Sequence, residues 1–157
     1  PKLVKSTEGV VVEGVDNCLI KLARCCEPLP GDDIIGFITR GHGVSIHKRD
    51  CSNVPKDISS CEQPDRWIKA KWANRKGEGF KATVVILAVD RSSLLADVMN
   101  TLVNMRVPLH NVNARELKDG NSEILITIST EGTEHLKNII SKLSKINNVF
   151  SVERTNN

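Results

Sequence analysis

The chain has 157 residues, 39% of them apolar but only 3% aromatic, so its core must be built from Val, Ile and Leu, a composition that suits sheets with helices laid on a face. Lys and Arg total 22 against 19 Asp and Glu, a net charge of +3. That is too little to demand a nucleic-acid partner, so any RNA contact has to come from a local patch. No run approaches the ~20 apolar residues of a membrane span, no basic-then-apolar leader is visible, and the opening Pro1 reads as a piece of something longer.

Val10 to Val12 predicts a short strand, and Cys18 to Ala23 is apolar without a clear period. Cys25-Cys26-Glu27-Pro28-Leu29-Pro30-Gly31-Asp32 predicts a rigid turn, because two prolines fix φ and Gly31 accepts a turn conformation. Ile34 to Thr39 and Val44 to His47 read as strands joined by the tight loop Arg40-Gly41-His42-Gly43. Asp50 looks like a helix cap, so Cys51 to Cys61 is expected to hold one helical turn, and Trp67 to Ala73 alternates as a closing strand. The composition then changes across residues 74–79: all five Cys, both Trp and five of the six Pro precede Gly79. Charge stays near balance on both sides, 13 basic against 11 acidic before Gly79 and 9 against 8 from there. Two domains are expected, 1–76 and 77–157.

The second part is regular. Lys81 to Val89 is a β-branched run and reads as a strand. Asp90-Arg91-Ser92-Ser93 supplies helix caps, and Leu94, Leu95, Val98, Leu102 and Met105 recur at helical spacing. Pro108 stops that helix and opens a strand from Leu109 to Leu117. In it Leu109, Asn111, Asn113 and Arg115 alternate with His110, Val112, Ala114 and Glu116. Lys118-Asp119-Gly120-Asn121 predicts a hairpin turn with Gly120 at positive φ. Glu123 to Thr130 is a third strand. Leu136, Ile139, Ile140 and Leu143 mark a second helix, opened near Thr133 with Glu134 in its first turn. Val149 to Val152 is a last strand. The order βαββαβ, with right-handed crossovers, puts both helices on one face of a four-stranded antiparallel sheet. The fold class is α+β: a small, irregular, β-rich cysteine domain followed by a ferredoxin-like βαββαβ domain.

Five cysteines is an odd number, and adjacent Cys25 and Cys26 cannot bridge one another without strain. A reducing cytosol follows, with thiols that are free, buried or metal-bound. His47-x3-Cys51 has the spacing of half a zinc site, and Cys25 with Cys26 would complete it. On a regular strand adjacent side chains point to opposite faces, so both reach one ion only if the proline turn bends the chain there. The competing reading packs the thiols as small apolar groups. Cys18 and Cys61 read as packing or surface residues. Lys21, Arg24, Arg40, His42, Lys48 and Arg49 gather on turns and strand ends, where small glycines let a backbone approach a phosphate and Arg can fork onto it. Against that stands a solvated face, since Asp32, Asp33 and Asp50 lie between the basic residues. Gly41-His42-Gly43 reads as a hairpin tip rather than a phosphate loop. No Gly-rich nucleotide loop, His-Asp hydrolase pair or acid/base dyad is visible in the sequence.

The stretch from Ala23 to His47, with its Cys-Cys, Gly36-Phe37-Ile38-Thr39, His42 and His47, together with Asp50-Cys51, closely resembles the conserved-cysteine domain near the C-terminus of long Rel/Spo-type stringent-response factors. In that family the domain is also called the zinc-finger or ribosome-intersubunit domain, and an ACT domain follows it. The βαββαβ pattern resembles an ACT domain, with Asp90-Arg91-Ser92-Ser93-Leu94-Leu95 at its strand-to-helix signature. The resemblance implies a non-enzymatic, cytoplasmic regulatory fragment of a (p)ppGpp synthetase/hydrolase. Its partners would be ribosomal RNA and the A-site tRNA region, with the parent's catalytic domains as the recipients of the signal. It implies, too, an ACT site in which Asp90, Ser92, Ser93 and Leu94 hold a branched-chain amino acid on free helix amides, and a homodimer through the ACT domain. The family usually has Gly where this chain has Ser93 and Asn where it has Pro108; both departures count against the ligand and favour a structural or dimerising ACT domain.

Overall fold

The computed structural model describes residues 3–5, 9–14, 19–41, 43–73 and 79–155. They form two compact units that divide at Gly79. The expected boundary between 76 and 77, like Cys18 and His42, lies outside the described residues.

The first unit is one sheet of six strands: β1 (Leu3–Lys5), β2 (Val10–Glu13), β3 (Ile20–Leu22), β4 (Ile34–Ile38), β5 (Val44–Lys48) and β6 (Trp67–Trp72), ordered β1-β2-β6-β4-β5-β3. Every pair is antiparallel except β3 with β5. Successive strand side chains point to opposite faces, and the sheet uses both. Val10, Val12, Ile20, Val44 and Ile46 bury one face, joined by Ile34, Ile38, Ile68 and Trp72. The other face carries a separate cluster of Cys26, Cys51 and Val54, with Ile35 and Trp67 packed on it. Gly36 sits in the middle strand, where a Cβ would stand 2.9 Å from Val44 Cγ1 and 3.0 Å from Ile68 Cγ1. The first core leaves no room for a side chain there.

One expectation for this unit needs correction, the cap at Asp50. The Cys18–Ala23 stretch contains strand β3. The helical turn expected within Cys51–Cys61 forms as a 3-10 turn at Ile58–Ser60, but its cap is Asp57, whose carboxylate accepts from Ser59 N at 3.1 Å. Asp50 instead faces Lys48 Nζ at 3.6 Å. The chain closes a tight turn at once, Val54 N donating to Cys51 O at 2.9 Å, and Pro55 then supplies no amide for a helix to use.

The second unit is an α+β fold with the expected βαββαβ order: β7 (Phe80–Val89), α1 (Leu94–Asn104), β8 (Leu109–Glu116), β9 (Asn121–Thr130), α2 (Thr133–Ser144) and β10 (Val149–Thr155). The antiparallel sheet runs β10-β7-β9-β8. Alternate residues Ala82, Val84, Ile86 and Ala88 of β7 and Ile124, Ile126 and Ile128 of β9 are buried, as are Leu94, Val98 and Leu102 of α1 and Leu136, Ile139 and Leu143 of α2. Gly120 turns the β8–β9 hairpin at φ 82°. The last strand extends to Thr155, which lies opposite Thr83 near the start of β7.

The alternation expected in β8 fails at its start. The register shifts between Leu109 and Asn111, which puts Leu109 opposite Ile128, Asn111 opposite Thr127 and Val112 opposite Ile126. Leu109 therefore shares a face with Val112 and Ala114, because a bulge at His110 adds one residue to this strand alone. All eight residues of β8 are exposed. The caps expected for α1 also differ: Ser93 is the N-cap but makes no side-chain bond to a helix amide. Its hydroxyl is held by Arg91 Nη1 at 2.6 Å, while Arg91 Nη2 meets Asp97 Oδ2 at 2.5 Å.

Candidate metal centre and flanking sites

Cys25, Cys26, His47 and Cys51 present their four ligand atoms within 4.8 Å of one another. Three local features bring them together. Residues 24–26 form a turn, in which Glu27 takes φ 45° and its amide closes back on Ala23 O at 3.1 Å. Asp32 fixes the proline segment that follows, its carboxylate accepting from Leu29 N at 2.7 Å and its carbonyl from Trp72 Nε1 at 3.0 Å. His47 lies on β5 on the face opposite to Ile46, so period two aims it at the cysteines while Ile46 enters the other core. Cys51 follows on the turn after β5, its amide held by Lys48 O at 3.0 Å. The turn removes the objection that neighbouring cysteines face opposite ways.

The spacings suit a tetrahedral ion. Sulfur at ~2.3 Å and imidazole nitrogen at ~2.0–2.1 Å from zinc leave neighbouring ligand atoms roughly 3.5–3.8 Å apart. Here Cys25 Sγ stands 3.9 Å from Cys26 Sγ, 3.6 Å from Cys51 Sγ and 3.3 Å from His47 Nδ1, with Cys26 Sγ 3.8 Å from that nitrogen. The outer atoms are partnered as well: His47 Nε2 faces Ser45 Oγ at 3.4 Å, and Lys48 N donates to Cys26 Sγ at 3.3 Å. Such contacts orient ligands. Four protein donors would close the shell of a tetrahedral ion, the pattern of structural rather than catalytic sites.

Protonation differs from group to group. Burial pushes the Cys26 thiol up to about 12, against the Lys48 amide, with the neighbouring Cys25 and Cys51 adding to the rise. Burial also acts to raise Cys25, but hydrogen bonds from Asn53, Cys51 and Cys26 outweigh it and hold this thiol below its usual value. Burial lowers His47, which favours the neutral ring a metal needs. Neither Asn53 nor the aromatic wall beside the cluster is signalled by any spacing or motif in the sequence. In that wall Trp67 lies 6.1 Å from the His47 ring and 4.6 Å from Phe37, and the Arg66 guanidinium stands 4.5 Å over Phe37.

Five of the six basic positions are described, His42 lying outside the described residues, and they separate into two groups. Lys21 on β3, Arg24 on the turn after it and Arg40 on the β4–β5 loop are exposed. Strand β3 is an edge strand of the sheet and runs parallel to β5. The loop's return lies against its start, Val44 N donating to Leu19 O at 2.8 Å, and Ala23 N reaches Ile46 O at 2.8 Å at its end. Arg40, Lys21 and Arg24 thus follow one another along one sheet edge. Arg49 instead donates to Pro55 O at 2.9 Å and Lys56 O at 3.0 Å, and the Lys48 side chain is only 12% exposed.

In the second unit, Asp90, Ser92 and Leu94 line a recess of about 380 Å3 together with Arg91, Leu95, Arg115 and Glu116. Ser93 does not line it; its hydroxyl belongs to the Arg91 network.

The chain matches two family models: RelA/SpoT RIS domain over residues 10–73 and ACT domain over residues 76–154. It is 36% identical over 154 residues to a GTP pyrophosphokinase of Haemophilus influenzae, covering 98% of this chain and 20% of that protein. A GTP pyrophosphokinase of Streptomyces coelicolor is 37% identical over 146 residues, 93% of this chain and 17% of that one. The ACT domain from GTP pyrophosphokinase of Chlorobium tepidum is similar over 50% of this chain and 100% of that one, at 23% identity and a TM-score of 0.45. The chain thus spans about a fifth of the length of these full-length relatives and corresponds to their C-terminal part. It belongs to the RelA/SpoT family, of which it carries a RIS domain followed by an ACT domain.

Proposed function

We propose that this chain is the ribosome-reading part of a bifunctional GTP pyrophosphokinase and (p)ppGpp hydrolase. It performs no chemistry itself. Ribosomal RNA near the A-site binds the first unit, and that contact favours one arrangement of the parent protein, so amino-acid starvation reaches the catalytic domains as a population shift. The observation that supports this reading is the row of exposed cations, Arg40, Lys21 and Arg24, along the outer edge of the first sheet. Zinc held by Cys25, Cys26, His47 and Cys51 stiffens the base of that edge, because its ligands flank both ends of the β4–β5 hairpin.

The test is co-sedimentation of the chain with ribosomes carrying deacylated tRNA in the A-site. Replacing Arg24 and Arg40 by Ala weakens binding and flattens its salt dependence, since each lost phosphate contact removes released counterions. Replacing the exposed Lys137 and Lys142 of α2 leaves binding unchanged. If the α2 pair matters more than the loop pair, the RNA surface lies on the ACT domain and the assignment is reversed.

The recess beside the start of α1 supports a second reading, an ACT sensor for a branched-chain amino acid. Thermal shift of the chain with Val, Leu and Ile separates the two. The outer strand β8, exposed at every residue, supports pairing of two copies through their ACT domains.

A further inference from the structure

Not all the cysteines of the cluster are equivalent. Cys26 is fully buried and accepts the Lys48 amide, and a bridge to its neighbour Cys25 is strained. Cys61 is not among the four grouped residues. Cys25 is partly exposed on its turn, while Cys51 is buried, with the two sulfurs 3.6 Å apart. A disulfide requires the sulfurs to approach by about 1.5 Å more. Both residues sit on turns rather than in ladder positions, Cys25 just after β3 and Cys51 just after β5, and these are the segments that move most cheaply.

We propose that Cys25 and Cys51 are a reversible dithiol–disulfide pair, oxidised by a low-molecular-weight disulfide, whose closure removes two of four donors and expels a metal bound at the cluster. The metal half of this inference rests on the zinc reading above; the pairing half does not. Cys25 Sγ attacks one sulfur of the reagent R–S–S–R, forming a mixed disulfide and releasing one thiolate. Cys51 Sγ then attacks Cys25 Sγ, forming the protein bridge and releasing the second thiolate. The two cysteine protons end on the two released thiolates, so two protein thiols and one RSSR become one protein disulfide and two RSH. Only Cys26 and His47 then remain as donors, too few for a structural zinc site. The bridge joins the same two turns that the metal joins, so the strands between them keep their pairing in either state.

The experiment uses the whole chain and glutathione disulfide. In the first arm the metal-free, reduced chain is oxidised and mapped by mass spectrometry under non-reducing conditions. The expected product is a peptide linked Cys25 to Cys51, two hydrogens lighter than its reduced halves. Mixed disulfides alone, or links through Cys18 or Cys61, would overturn the proposal. In the second arm the zinc-loaded chain is treated alike with a chromogenic chelator present. Metal release is expected to track the bridge and to reverse with dithiothreitol and fresh zinc. Zinc retained while the bridge forms would overturn it. The Cys51→Ser chain is expected to stop at a mixed disulfide on Cys25, and Cys61→Ser to behave as the parent; should Cys51→Ser fail to fold, the map of the unmodified chain still decides. A chain that takes up no zinc yet forms the Cys25–Cys51 bridge would sink the metal reading and leave the pair standing.

Discussion

In the metal-free chain, Cys26 and His47 set a pH window for the first unit. His47 is lowered by burial from its usual 6.5, so below that value the unfolded chain takes a proton that the folded one refuses, and stability falls as pH drops. Cys26 is raised by burial from its usual 9 to about 12, so above 9 the unfolded chain loses a proton that the folded one keeps, and stability falls as pH rises. Urea denaturation followed by Trp67 and Trp72 fluorescence is therefore expected to be hardest between about pH 6.5 and 9. Zinc should widen that plateau on the alkaline side, because a coordinated thiol is already deprotonated; a pH-independent midpoint without metal would contradict the assignment. Gly36 is a second single-residue test. Gly36→Ala drives a methyl into Val44 and Ile68 at 2.9 and 3.0 Å. The overpacking is expected to cost about 1–3 kcal/mol, less a few tenths for the better strand propensity of Ala. The same denaturation reads it.

Among the elements, α1 is anchored from its side rather than capped from its end. Arg91 holds Ser93, Asp97 and, at 3.2 Å, the carbonyl of Asn147 in the turn after α2. Arg91→Ala should destabilise the second unit by roughly 1 kcal/mol, since the network is half-exposed and the freed Ser93 hydroxyl regains its capping role. Differential scanning calorimetry checks it; an unchanged transition would mean the network is ornamental. Nothing in the sequence announced this tie, because one acceptor is a backbone carbonyl 56 residues away. Arg49 was opaque for the same reason: its partners are the carbonyls of Pro55 and Lys56. The second unit was otherwise legible, since its strands and helices are long enough to show their period. The three-residue strands β1 and β3 show none. The bulge at His110 was hidden because a one-residue insertion leaves composition unchanged. In the candidate metal centre, His47-x3-Cys51 was readable from spacing, whereas the approach of Cys25 to Cys26 depends on Glu27 at φ 45°, a conformation a non-glycine residue does not advertise.

For the molecule as a whole, the proposed pairing of two copies would use β8, an edge strand with one open side. Its chain of eight exposed residues includes Leu109, 39% exposed, and Val112, 38% exposed. Val112→Lys is expected to shift sedimentation velocity toward the single-chain value at concentrations where the unmodified chain pairs, without moving the melting of the second unit. A species distribution unchanged by Val112→Lys would place the contact elsewhere. No helix of the described residues is long and apolar enough to cross a membrane.

Thr155, the last residue of β10, lies opposite Thr83, three residues into the antiparallel strand β7, so these two backbone points sit about one strand spacing apart, ~4.8 Å. Tension applied through those two points would not load the β7–β10 ladder in parallel. It would peel that ladder one bond at a time from the Thr155 end, as a zip opens, while the ten residue pairs joining β7 to β9 stay closed. Under a pull from both sides the last strand should therefore come away first and at low force. Held at those two points, the second unit would then yield along a set seam and reseal when the load is gone.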